Sequence, residues 1–396
     1  MKITEELRNR LSEWRRYLHQ HPELSFQEVE TARFVSSTLE KMPGMKVETQ
    51  LGYPTAVVGE LSTGTGPVIA IRADMDALPI QEQNDCHYKS IIPGVMHACG
   101  HDAHTAIALG TAQVLSEAFQ KHTIQGTVRF LFQPAEEHVD EKGWSGAPYM
   151  IQAGVLDNVD VVIALHMSPE HHIGEVLIHD GYSMANVDVF KVKINGTGGH
   201  GAYPHLGTDP FWMLSHVLNH LYGITGRRVS PLEPAVISIG KISGGSTSNV
   251  IPSEVEVHGT IRSYHPKLSE QLKKGVASAF SIAEQFGGSL EFKFIQEDPA
   301  LYNHPKVNQL LKRSITNLYP DFHILNQPFG LGGEDFAHMT NTIPGAMFFL
   351  GCKVDDRKER GLHTPYFDID ESVLEIGTSV LAQTAYHFLN QEKMNK

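Results

Sequence analysis

The chain lacks most of the features that mark secreted, membrane-embedded or nucleic-acid-binding proteins. Only three cysteines, Cys86, Cys99 and Cys352, occur in 396 residues. That odd, small number argues against a disulfide framework and leaves reduced thiols available as metal ligands. No basic run exceeds two residues, as at Arg227-Arg228, and the formal charge is −13. Nucleic acid, whose binding surfaces need clustered Lys and Arg, is excluded as a partner. No stretch approaches the ~18 apolar residues of a membrane span. Met1-Lys2-Ile3-Thr4-Glu5-Glu6 is charged at once, without the apolar core of a secretory signal. The expected location is the cytoplasm, with no membrane partner. Internal repeats and low-complexity tracts are also missing. At 41% hydrophobic and 19% charged, the composition is that of a soluble globular protein, and the length calls for two domains.

Against that background the stretch Met96-His97-Ala98-Cys99-Gly100-His101-Asp102-Ala103-His104-Thr105 is unusual, with a thiol, three imidazoles and a carboxylate in ten positions. Cys99 and His101, at i and i+2, would point to opposite sides of a helix. From a turn around Gly100 they can converge on one ion, so a loop is expected there. The Ala- and Leu-rich run from Thr105 to Leu115 follows as a packed helix. Cys99 taken singly fits a buried thiol as well as a ligand; the cluster makes a metal site the better reading. The 23 histidines support a site only where spacing does too.

Leu7 to Gln20 reads as an amphipathic helix ended by Pro22, with packing as its role. Thr55 to Leu61 and Val68 to Ala73 are short apolar runs, expected as adjacent strands. The second runs into Asp74-Met75-Asp76, at the strand end where open α/β sheets bind ligands, although simple capping fits those carboxylates equally. Gly126 to Phe132 is another strand, and Pro134 stops it as Glu136-Glu137 emerges. Adjacent carboxylates repel unless water or a cation lies near, so this pair faces solvent or metal. Val159 to Leu165 ends in His166, and the buried run Ala346 to Gly351 precedes a charged loop and His363. All these side chains can lie along one edge of one sheet.

From about Asn186 to Phe294 the texture changes. Val187–Ile194, Glu254–Ile261 and Ser289–Phe294 alternate with period two, as half-exposed antiparallel strands do. With Ala235–Ile239 and helical patterns at Pro210–Ile224 and Lys267–Phe286, this is the inventory of a ferredoxin-like α+β unit. It is inserted between the halves of the first domain. The glycine-rich loops at 196–199 and 243–246 have no nucleotide-loop spacing and read as flexible turns.

These residues together resemble the metal-dependent aminoacylase and hippurate hydrolase family, which includes the auxin-conjugate amidohydrolases. It belongs to a dinuclear metallopeptidase superfamily that includes carboxypeptidase G2. The resemblance runs through Leu18–Ser25, Arg72–Pro79, Met96–Thr105, Gln133–Glu137, Gly198–Gly201, Asn249–Pro252 and Gly333–Phe336. It implies an α/β fold: an open mixed-sheet catalytic domain of the zinc-aminopeptidase type (residues 1–185 and 296–396) carrying an inserted ferredoxin-like lid and dimerisation domain (186–295). It further implies that Cys99, His101, Glu137, His166 and His363 hold two divalent ions and that Glu136 is the catalytic carboxylate. Two departures are visible. His138-Val139-Asp140-Glu141-Lys142-Gly143-Trp144 replaces a glycine run, which bears on the acyl preference, and His363 has no adjacent second histidine.

An amide yields to water only when the water is made nucleophilic and the carbonyl is polarised, and paired divalent ions do both. Glu136 would move the proton. Thiolate, imidazole and carboxylate ligands suit Zn, Mn, Co or Ni better than Mg or Ca. The resemblance points to an N-acyl amino acid as substrate. Asn249 and Arg262 are candidates to hold its carboxylate, since Arg offers a bidentate fork, though Arg262 also fits a surface strand position. His200, after a glycine pair, is a candidate oxyanion donor. A homodimer or higher oligomer through the inserted domain is the expected assembly. The competing readings are a dipeptidase or carboxypeptidase on the same metals and, from another class, a metal-holding assembly protein without turnover. The last requires a missing Glu136 or ligand, and none is missing.

Overall fold

The computed structural model describes residues 3–356 and 358–390. The chain divides into two compact units. The first comprises Met1–Ser183, Tyr302–Phe329 and Asp335–Lys396, the second Met184–Leu301 with Gly330–Glu334. The expected boundaries placed residues 1–185 and everything after residue 295 in the catalytic domain. Instead, Met184, Ala185, residues 296–301 and Gly330–Glu334 fall in the second unit, where Tyr264 donates its hydroxyl to the Gly330 carbonyl at 2.9 Å and the Ala185 N–H donates to Gly332 at 3.2 Å.

The first unit is built on an eight-stranded mixed sheet. Its strands lie in the order Lys46–Thr49, Val57–Ser62, Thr127–Gln133, Val68–Asp74, Val161–Ser168, Gly345–Gly351, Glu175–Leu177, His323–Leu325. The four central strands, from Thr127–Gln133 to Gly345–Gly351, run parallel, and their near-continuous apolar runs are what burial on both faces requires. Val57–Ser62 and Val68–Asp74 are not neighbours, contrary to the sequence expectation. Thr127–Gln133 lies between them, antiparallel to the first and parallel to the second. A tight turn at Gly64 and Gly66 suggests a hairpin, but the apolar strand formed later in the chain takes the central place. Because the central strands are parallel, Asp74, Gln133 and Ser168 all end at the same edge, the one where such sheets carry sites.

Helices cover the sheet. Glu5–Gln20 is capped by Thr4, whose hydroxyl oxygen accepts from the Leu7 N–H at 3.2 Å, and carries Glu5 and Glu6 in its first turn. His101–Gln120 is buried along nearly its whole length. A side chain at its Gly110 would come within 2.5 Å of Leu11, so the two helices approach closely only because that position is glycine.

The second unit has a four-stranded antiparallel sheet in the order Ala235–Ser243, Glu254–Ser263, Asn186–Asn195, Ser289–Asp298, with helices Pro210–Arg228 and Pro266–Phe280. This is the ferredoxin-like arrangement. Its own core includes Phe190, Val192, Leu221, Val257, Leu272 and Phe280.

Within the first unit, Arg15 and His19 occupy the buried face of the first helix alongside Leu11 and Leu18. Arg15 Nε donates to Asp102 at 2.9 Å and its Nη2 to Asp368 at 2.9 Å. His19 meets Asp102 through Nδ1 at 2.8 Å and Glu82 through Nε2 at 3.3 Å. Burial alone would weaken the Arg15 charge, but Asp102 and Asp368 hold its pKa well above the ordinary value. Burial acts against the charge of Asp102 as well, and Arg15 and His19 overcome it, holding its pKa below the usual carboxylate range. This charged knot joins the N-terminal helix, the start of helix His101–Gln120 and the segment after residue 363. Replacing Arg15 by Ala takes the arginine charge away from two buried carboxylates and is expected to cost about 3–5 kcal/mol in urea unfolding. A loss below about 1 kcal/mol, the range of exposed pairs, would show that the knot contributes little.

Candidate metal centre

Cys99 lies in a buried loop, and Gly100 caps the following helix with a left-handed φ of 95°. A Cβ there would lie 2.9 Å from Met167, so backbone and space both require glycine. The helix begins at His101, not after the histidines as expected. His101 and His104 therefore sit in its first turn, and only Cys99 remains on the loop. His166 lies within strand Val161–Ser168 and not beyond it, its ring stacked on Phe349 with centroids 4.8 Å apart. His363 is left-handed, φ 59°, and its N–H donates to the Ala98 carbonyl at 2.8 Å. The last of the expected ligands is thereby tied to the residue before the first.

Glu136 and Glu137 follow Ala135, also left-handed at φ 49°. The Glu137 N–H donates to Asp76 Oδ2 at 3.0 Å, and the Ala135 N–H to Glu28 Oε1 at 2.8 Å. The result is a cluster in which Cys99 Sγ is 3.5 Å from His166 Nε2 and His363 Nε2 is 3.2 Å from Glu137 Oε1. His101 Nε2 lies 3.8 Å from Glu137 Oε1 and 3.9 Å from Glu136 Oε2. Cys99, His101 and His166 offer ligand atoms within 4.8 Å of one another, as do Cys99, Glu137 and His363. The thiol belongs to both sets.

Two tests favour a cation. His101 Nε2 and Glu137 Oε1 are buried without a hydrogen-bond partner, which an ion would remedy. The imidazoles are also aimed by their other nitrogen. His101 Nδ1 is 2.9 Å from the Asp76 carbonyl and His166 Nδ1 2.8 Å from the Met167 carbonyl. Donation there leaves each Nε2 with a lone pair facing the cluster. Asp74, His101 and His104 also cluster, but His104 and Asp74 are already engaged. His104 Nδ1 meets Asp74 Oδ1 at 2.7 Å and its Nε2 accepts the Met167 N–H at 3.0 Å, while Asp74 Oδ2 accepts from Arg72. Asp74 and Asp76 therefore hold imidazoles, and Asp102 belongs to the Arg15 knot.

Arg72, His104 and Asp335 were not found by sequence reasoning. Arg72 donates to Asp335 at 2.7 Å and to Gln133 at 3.0 Å. Its signal was available: an arginine inside an apolar strand must be paired. In the second unit, His200 lies on a two-residue strand opposite Val250, and the Gly201 N–H donates to the Asn249 carbonyl at 2.9 Å. His200 is exposed and, with Thr197, Ser243, Gly245 and Glu254, lines an open cavity of about 780 Å³. Arg262 is half-buried within the strand Glu254–Ser263, paired with Val187 and Val236. Burial lowers its pKa against the pull of Glu297 and Asp298.

Fold and cluster together define a metallohydrolase: a mixed α/β sheet whose carboxyl edge gathers thiol, imidazole and carboxylate donors beside a second carboxylate. The chain matches the peptidase family M20/M25/M40 over residues 70–387, and it belongs to that family of amide-bond hydrolases. It is 38% identical to thermostable carboxypeptidase 1 of Saccharolobus solfataricus, over 99% of this chain and 100% of that protein. It is 36% identical to an N-acetylcysteine deacetylase of Bacillus subtilis, over 95% of this chain and 96% of that one. Among solved structures, a dinuclear metal-binding M20 peptidase of Bacillus subtilis superposes with a TM-score of 0.84 at 33% identity, covering 98% of this chain and 99% of that one. No helix among the described residues is long and apolar enough to cross a membrane.

Without a metal, burial and then the Glu137 and Glu136 charges push the Cys99 thiol pKa well up. Burial alone would lower that of His101, but Asp74 and Asp76 raise it to about 10. Both groups must lose a proton to become ligands, so metal affinity should rise with pH. Up to two protons should be released per chain loaded, giving a gain of up to about 100-fold per pH unit near neutrality. Calorimetric titration in buffers of different ionisation enthalpy measures this; a pH-independent affinity would contradict it.

Proposed function

We propose that this protein is an amidohydrolase that releases the acyl group from N-acyl amino acids, using two divalent ions drawn from Zn, Mn, Co and Ni. The observation that carries the reading is the pair of ligand sets sharing Cys99, with Glu136 beside His101 and Glu137. Cys99, His101, Glu137, His166 and His363 would hold the ions. When bound, they supply a polarised carbonyl and a water acidic enough to attack it. Glu136 takes the proton from the attacking water and delivers it to the leaving amine nitrogen as the C–N bond breaks. The adjacent Glu137 serves as a ligand, which is why two neighbouring carboxylates are needed. From the second unit, His200 is assigned to the developing oxyanion, and Asn249 and Arg262 to the amino acid carboxylate. A homodimer or higher homo-oligomer through that unit is the proposed assembly, and the cytoplasm the proposed location.

The deacetylase relative, which by name removes an acetyl group from an amino acid, supports the substrate class. The carboxypeptidase relative supports a second reading, cleavage of a peptide bond at a free carboxylate on the same site. Turnover of a panel of N-acyl amino acids against dipeptides separates the two.

Glu136→Gln is expected to lower kcat by at least about 100-fold, the lower bound for a lost general base, while retaining parental metal content. Glu137→Gln should lose metal as well. Elemental analysis finding equal metal in both variants, or substantial turnover by Glu136→Gln, would overturn these roles.

A further inference from the structure

The turn that carries Glu136 is held from both sides by buried carboxylates. On one side, Asp76 Oδ2 accepts the Glu137 N–H at 3.0 Å and the Ser25 hydroxyl at 2.6 Å. On the other, Glu28 Oε1 accepts two backbone N–H groups, from Ala135 at 2.8 Å and from Phe26 at 2.9 Å, while its Oε2 accepts the Thr55 hydroxyl at 2.9 Å. Glu28 is fully buried. Both of its backbone donors are non-glycine residues in the left-handed region, Phe26 at φ 68° and Ala135 at φ 49°. Side-chain-bearing residues persist there only where the surroundings over-determine them. One oxygen thus fixes two unfavourable backbone conformations, and the second lies immediately before Glu136.

We propose that Glu28 is a positioning residue for the proton-transferring Glu136, acting through the Ala135 amide to fix the turn that Asp76 fixes from the Glu137 side. The inference rests on the assignment of proton transfer to Glu136. It is a matter of reach and not of charge. Burial and the nearby Asp76 raise the Glu28 pKa to about 7, so the carboxyl is substantially protonated at neutral pH. A glutamine presents a carbonyl oxygen at the same distance from the backbone, whereas an aspartate keeps the charge but withdraws the oxygens by one methylene, about 1.5 Å.

The test compares Glu28→Gln with Glu28→Asp, each with two ions per chain verified by elemental analysis. Glu28→Gln should keep kcat within about threefold of the parent. Glu28→Asp should lose about 10- to 100-fold in kcat with little change in KM, the scale set by a displacement of about 1 Å at a reacting group. Hydrogen exchange gives a readout independent of turnover. The Ala135 amide, followed in a peptide spanning residues 133–137, should exchange faster in Glu28→Asp and at the parental rate in Glu28→Gln. Adding Ala135→Gly to Glu28→Asp should recover part of kcat, because glycine adopts the left-handed conformation unaided, and repair of a merely structural defect elsewhere would not follow. Parental kcat and exchange in Glu28→Asp, or a loss in Glu28→Gln as large as in Glu28→Asp, would overturn the inference. Turnover surviving in Glu136→Gln instead overturns the assignment of Glu136, and any catalytic part for Glu28 falls with it. An inactive Glu136→Gln beside a fully active Glu28→Asp removes the Glu28 inference alone.

Discussion

The constraint on which the first unit depends is the cost of gathering negative charge away from water. Asp74, Asp76 and Asp102 are fully buried, and Glu136 and Glu137 stand close by. Left uncompensated, such carboxylates would take up protons or unfold the site. The chain compensates them one at a time. Arg72 serves Asp74 and Asp335, Arg15 serves Asp102 and Asp368, and His101 faces Asp76. Among the atoms that compensation leaves without a hydrogen-bond partner are His101 Nε2 and Glu137 Oε1, each on a residue with a ligand atom within 4.8 Å of the Cys99 sulfur. A cation placed among these donors would finish a pattern that the protein's own arginines begin.

Much of this was legible because chemistry and periodicity coincide. A thiol and three imidazoles around Gly100, a carboxylate pair after a strand and a histidine at the end of an apolar run each announce themselves locally, and a parallel sheet brings strand ends to one edge. The second unit was legible for a related reason, since its strands alternate and its helices are amphipathic. Less legible was anything depending on which strand lies beside which. Val57–Ser62 and Val68–Asp74 look like a hairpin in sequence, yet Thr127–Gln133 separates them, because pairing is decided by the burial of a strand that comes more than fifty residues later. Gly330–Glu334 was lost in the same way: nothing local in five loop residues shows that they bond to Tyr264 and Ala185.

The helix starts earlier than its sequence suggests, at His101, for a more instructive reason. A ligand pair at i and i+2 was expected to require a loop for both residues. The structure needs the loop only for Cys99, because His101 is the first helical residue and its Cβ direction is set by the turn at Gly100. His104, one helical turn on, shares the face of His101 and could pass for a ligand by spacing. Its two nitrogens are instead engaged by Asp74 and the Met167 amide. Spacing identifies which side chains share a face; only the hydrogen-bond partner on the second ring nitrogen decides which of them is left open to coordinate.

The same partners bear on how much the site must move to be filled. Each proposed ligand segment is tied to another by a bond that no ion supplies: His363 N–H to Ala98, Glu137 N–H to Asp76, His101 Nδ1 to the Asp76 carbonyl, and His104 Nε2 from the Met167 amide beside His166. The segments come from four separate parts of the chain, so the entropy of bringing them together is met by the sheet and these bonds during folding, before any coordination. In small zinc domains the ligands have no such scaffold, and binding free energy is spent on folding. Here it is left for ordering a few side chains and displacing protons from Cys99 and His101. With the segments already in place, binding free energy can go toward expelling those protons, while Glu136, the carboxylate proposed for proton transfer, stays beside His101.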